Sequence, residues 1–198
     1  MAGGTASHAE GCETTASGEN SHAEGYGTLA SSNYAHAEGY GSKAEAYAAH
    51  AEGGSIASSS YSHAEGQTWA TANHAHSEGY KSAASGTISH AEGQETIASG
   101  NISHAEGYKS IASGAGAHAE GQETVASGID SHTEGRNTKS LGNYSHAEGY
   151  GTTAGTIKEN GESDDSYAHA EGRNTVASGK YSHAEGDGTI ASGKYQHV

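Results

Sequence analysis

The chain of 198 residues holds 31 glycines, no proline and no phenylalanine, and only 32% of it is hydrophobic. A globular core of large apolar side chains cannot be assembled from that inventory. Nine basic residues against 24 acidic ones give a formal charge of -15, which argues against a nucleic-acid partner. Such a chain is ordinarily disordered unless a fixed repeat lets thin units share one continuous core.

In chain order, the start MAGGTASHAEG lacks the charged and then apolar pattern of a secretory signal. No apolar run approaches the ~20 residues of a membrane span, so no membrane insertion is expected. Cys12 stands alone, which excludes an internal disulfide. From residue 8 onward a His-x-Glu unit recurs: His8 and Glu10, His22 and Glu24, His36 and Glu38, His50 and Glu52, His63 and Glu65, His76 and Glu78, His90 and Glu92. It continues with His104 and Glu106, His118 and Glu120, His132 and Glu134, His146 and Glu148, His169 and Glu171, His183 and Glu185, and His197 closes the series. Most steps are 14 residues; His50 to His63 and His63 to His76 are 13, and His146 to His169 is 23. Only His74 lies outside the series.

The 13-residue steps read as single deletions in a turn. The step of 23 is one unit of 14 plus nine inserted residues, 23 − 14 = 9, placed near 155–166. Its Gly, Asn, Asp and Ser content reads as a protruding loop. Lys158, Glu159, Asn160, Glu162, Asp164 and Asp165 form a candidate contact surface there. Their spacing fits no twelve-residue calcium loop, so a solvated acidic loop is the expectation. Because the first unit opens so near Met1 and Val198 falls partway through another, the sequence reads as a fragment of a longer chain, a single repeat domain over 1–198.

Within one unit, such as SHAEGQETIASGNI from Ser89 to Ile102, two halves each end in glycine. Glycine at both corners is expected to supply turn angles that other residues reach only with strain. Helix is disfavoured, since a glycine every seventh residue costs about 1 kcal/mol each against alanine. Two short strands per coil imply an all-β parallel solenoid of 14 residues per coil. Fourteen coils at ~4.8 Å would span roughly 65 Å. Strand alternation sends the leading Ser and the central Ala inward and His and Glu outward. In the second half Thr and Ala point in, while the variable residue and Ser point out. Only Ser77 and Thr133 replace the first-half alanine.

The unit resembles that of trimeric autotransporter adhesin heads, small-x-Ala-x-Gly-x-x-Ser-x-Ala-x-Gly-x-x, over nearly the whole chain. SHAEG and the ending ASGKYQHV, Ala191 to Val198, are similar to the prophage tail-fibre form of the repeat. The resemblance implies a left-handed parallel β-roll assembled as a parallel homotrimer, on a virion tail or a cell surface. It also implies a structural and adhesive role toward a cell-surface glycan or protein receptor. In adhesin heads, Val and Ile commonly flank the first Ala and face the three-fold axis; here His and Glu hold those places, so the resemblance sets the two columns around the axis.

Glutamates stacked ~4.8 Å apart repel by about 3.5 kcal/mol per neighbouring pair at an effective dielectric of 20. Histidine beside each one is expected to relieve this through charge-assisted hydrogen bonds, with histidine pKa values raised and glutamate values depressed. The competing seam is the variable column of Leu29, Ile56, Trp69, Ile97, Ile111, Val125, Val176 and Ile190, interrupted by Lys43, Lys139 and Thr153. No resident cofactor or metal is expected, although a His and Glu array could take Zn²⁺ or Ni²⁺ opportunistically. Tyrosines recurring at the corners suit either ladder packing or sugar binding. An enzyme is not expected, because no nucleophile with an orienting base stands apart from the repeat. A metal-binding ladder, or a non-catalytic scaffold for a tail-associated enzyme, is the alternative function.

Overall fold

The computed structural model describes residues 1–156, 164 and 166–198; most of the insertion, including Lys158, Glu159, Asn160, Glu162 and Asp165, lies outside them. Two compact units, Met1–Glu95 and Thr96–Val198, are built from the same coil. A coil consists of a long strand such as His22–Tyr26, a corner, a two-residue strand such as Leu29–Ala30, and a second corner. Thirteen long strands and eleven separate short ones make an all-β parallel solenoid of about thirteen turns, with no helix among the described residues.

Strand pairing is parallel and holds like residues in columns. In the first unit His8 pairs with His22, and the column continues through His36, His50, His63 and His76 to His90. In the second it runs from His104 through His118, His132, His146 and His169 to His183. Alanines and glutamates keep the same register. His146 pairs with His169 and Thr153 with Val176, so the coils close around the insertion as if it were absent.

The interior has the narrow alphabet that alternation dictates. Ala23, Ala37, Ala105 and Ala147 are fully buried, as are Ser77 and Thr133 where they replace alanine, and among the described residues no fully buried side chain is larger than threonine. Small residues suffice because the two strand layers of a coil lie close together, so each methyl group meets a neighbour without leaving a void. The leading serine closes the second corner: Ser21 Oγ donates to Gly18 O at 2.6 Å, and Ser103 Oγ to Gly100 O at 2.6 Å.

The corners differ from expectation in one respect. First-corner glycines need their angle: Gly25 has φ 110°, and a Cβ on it would lie 2.1 Å from Gly39 O. Gly100, at the second corner, needs closeness instead, since its Cβ would lie 1.9 Å from Gly114 O while its φ is ordinary. The left-handed angle there falls two residues later, on Asn20 (52°), Tyr34 (60°) or Ile102 (58°).

Both short coils lose the same residue. Regular coils place a left-handed residue, Gly27 or Glu95, two places after the corner glycine. The coil from His50 turns through Gly53 and Gly54 straight into Ser55, and the coil from His63 runs unbroken as one strand, His63–Ala70. Each 13-residue step is therefore a deletion in a turn, as its spacing implied, and the turn is the first corner.

Candidate functional site

Every long strand presents histidine first and glutamate third, both outward, with a small residue between them that is a buried alanine in most strands, Ser77 and Thr133 in two and the half-buried Ala9 in the first. The structure thus brings the histidines and glutamates of the series together within each unit, while of the candidate contact surface only Asp164 is among the described residues. Imidazole rings stack face to face: His22 on His36 at 4.8 Å and 5°, His50 on His63 at 4.6 Å and 2°, His104 on His118 at 4.8 Å and 2°. The face remains open, with the His90 and Glu92 side chains 38% and 46% exposed.

Pairing within a coil is looser than the sequence suggests. His36 Nε2 lies 3.2 Å from Glu38 Oε2, but the separation is 3.7 Å in the coils of His22 and His90 and 3.9 Å in that of His132. The longer ones exceed hydrogen-bond length. A flat strand holds residues i and i+2 side by side, so the ring and the carboxylate run parallel rather than end to end. The Nε2 atoms of His50, His63 and His118 are sealed from solvent without a hydrogen-bond partner.

Protonation follows this geometry and reverses the expectation. His50, His76, His118, His146 and His169 have pKa values below the ordinary imidazole value. Burial in the stack is the largest cause and repulsion by neighbouring histidines the next, and together they outweigh the glutamates. Glu148 moves up rather than down, through burial and then a carboxyl hydrogen bond with Glu171. A stacked imidazole column favours the neutral ring, because protonating one ring places its charge against the faces of two others.

Among the described residues, two donor groups stand on the ladder. Atoms of His169, Glu171 and His183 lie within 4.8 Å of one another, as do those of His183, Glu185 and His197. Stacking opposes their joint use, because the His169 and His183 rings are 7° from parallel with centroids 4.7 Å apart. Their ring lone pairs then run alongside instead of converging on one ion.

Corner aromatics form columns of their own, and two members escaped the sequence reading. Tyr144, Tyr167, Tyr181 and Tyr195 stack at 4.8, 5.1 and 5.2 Å. In the first unit Tyr47 stands edge-on between Tyr34 and Tyr61, and His74 stacks on Tyr61 at 4.9 Å. His74, outside the histidine series, is a substitute for tyrosine at the second corner; its place one residue before the leading Ala75 was the available signal.

Residues 91–117 and 170–195 match the YadA head domain repeat. In those two stretches the repeat is that of a trimeric autotransporter adhesin head. No curated protein matches the chain. In the coils that carry these stretches, the places beside the buried alanine hold imidazole and carboxylate columns, and the corners hold tyrosine columns.

Proposed function

We propose that the chain is a structural and adhesive element of a bacterial surface adhesin or phage tail fibre. It is displayed outside the cell or on the virion tail as a parallel homotrimer, with the histidine and glutamate columns toward the three-fold axis. One observation carries this reading: identical side chains repeat in register on an open face of every coil, which suits a periodic partner such as another copy of the same columns. The neutral state favoured by the stacked imidazoles also lets that face be covered without burying cations. The variable column is less suited, since Lys43 sits between Leu29 and Ile56, and Lys139 between Val125 and Thr153. Bound to a receptor, the trimer acts by contact and not by turnover.

Two measurements test it. Light scattering should give three times the 19.9 kDa chain mass at neutral pH. A single cysteine at Glu106, in a chain carrying Cys12→Ser, should form interchain disulfides faster than one at Ile111. A protein that stays monomeric at high concentration overturns the trimer, and the opposite disulfide preference moves the seam to the variable column. Retention on immobilised cell-wall glycan or whole cells without cleavage is the adhesive outcome, and release of products would mark an enzyme.

A further inference from the structure

In the first unit the regular pattern fails at the two short coils, and the failure makes a cavity. The two consecutive 13-residue coils remove corner residues on the same edge of the first unit. What remains is an open depression of about 400 Å³ lined by Tyr40, Gly41, Gly53, Gly54, Gln67, Trp69 and Lys81. That volume lies within the range of small-ligand sites. The chain's single tryptophan stands in it, 41% exposed, with Ile56 beside it on one side and only the methyl group of Ala83 on the other. Tyr40 stacks on Tyr26 at 5.3 Å, but the next coil offers Gly54 in place of a ring, and Tyr40 is 72% exposed.

Polar groups are freed by the same deletions. In regular coils the left-handed residue donates back to the carbonyl of the preceding coil, Gly41 N to Tyr26 O and Glu95 N to Tyr80 O, each at 2.8 Å. Gly54 N donates instead to Ser42 Oγ at 2.8 Å, so the Tyr40 carbonyl loses that donor at the cavity edge. The coil from His63 has no residue in that place to donate to Gly54 O. Two aromatic faces, backbone acceptors, the Gln67 side chain and Lys81, whose ammonium group lies over the neighbouring Tyr80 ring at 5.1 Å, thus meet over four coils, three steps of ~4.8 Å.

We propose that this notch is a saccharide-binding site, taking a short hexose-containing segment of a surface glycan. Pyranose C–H groups lie against the negative faces of Trp69 and Tyr40. The hydroxyl groups donate to the free carbonyls and accept from Gln67 and Lys81. The proposal rests on the adhesive reading above and gives it a ligand class and a place.

Trp69 is its own reporter, because no other tryptophan emits. The native chain should be titrated with maltotriose, chitotriose and sialyllactose at millimolar concentration, with saturation-transfer NMR in parallel. A saturable change in Trp69 emission with at least one of these is expected, weakened about tenfold by Gln67→Ala. Trp69→Ile, the residue at Ile56 and Ile97 in the same column, should abolish the NMR transfer while leaving the circular dichroism unchanged. Inserting one asparagine after Gly54 and another after Gln67 restores fourteen-residue coils and should close the site. A sialyllactose response that salt suppresses assigns the charged sugar to Lys81, and a salt-insensitive response to the neutral ones assigns hexose stacking. No response to any of the three overturns the notch. If the native chain holds to glycan-coated surfaces and Trp69→Ile holds equally well, the notch fails while adhesion stands; if the native chain does not hold at all, adhesion fails.

Discussion

Gly25 and Gly27 sit two residues apart, and only one of them is irreplaceable. A methyl group on Gly25 would stand 2.1 Å from the Gly39 carbonyl oxygen, backbone against backbone, at a φ of 110°. Gly27, at φ 66°, has nothing within 4 Å of its added Cβ, and Asn137 and Asn174 occupy the same place in other coils. Gly25→Ala should therefore abolish cooperative melting of the first unit, whereas Gly27→Asn should shift its midpoint little. Ile102 offers the reverse opportunity. A β-branched residue held at φ 58° carries about 1–2 kcal/mol of strain, and its side chain is 67% exposed, so little burial is lost on removing it. Gly116 fills that place one coil later, so Ile102→Gly should raise stability by about 1 kcal/mol in a denaturant titration. The inward alphabet of Ala, Ser and Thr was legible from alternation alone. The left-handed tyrosines and isoleucines were not, because their own preferences point elsewhere and only stacking between coils holds them there.

At the scale of the strand, the imidazole column decides the response to acid. Unfolded histidines titrate near about 6.5, while His50, His76, His118, His146 and His169 are held below that by burial and by one another. Between the two values the unfolded chain binds more protons. The stability is thus complete above the unfolded pKa and is lost as pH falls through the folded one. Glu148 acts oppositely: its raised carboxyl pKa favours the fold below the ordinary carboxylate range, and that contribution fades as pH rises through the folded value. The melting midpoint should therefore fall between about pH 7.5 and about pH 5, with the carboxyls softening the loss only at the acid end. A midpoint that rises over this interval would show histidine gaining more from glutamate than it loses in the stack. Spacing revealed that His and Glu share a face, and the positions of all thirteen pairs were readable from it. The sign of the shift was not readable, because it depends on whether the ring meets the carboxylate end-on or lies flat on the next ring, which register alone does not set.

For the molecule as a whole, the energy is close to a sum over neighbouring coils. Removing residues 118–131 joins Ala117 to His132 and brings His104 opposite His132, Ala105 opposite Thr133 and Ile111 opposite Lys139. The register is kept: histidine still meets histidine, Thr133 rests on an alanine as it now rests on Ala119, and Lys139 on a branched aliphatic residue as it now rests on Val125. The shortened chain should fold, give the same β spectrum and melt cooperatively, with the midpoint lowered by less than about 5 °C. Removing only residues 118–124 deletes the same kind of sequence but half a coil. Val125 would then stand opposite His104 and His132 opposite Ile111, and Gly128, a second-corner glycine of ordinary φ, would have to take the first-corner place that Gly121 fills at φ 111°. That chain should lose its cooperative transition although it is the less truncated of the two, since stability here depends on whole coils and not on the number of residues retained. Equal behaviour of the two deletions would mean that contacts along the chain, and not between successive coils, hold the fold together.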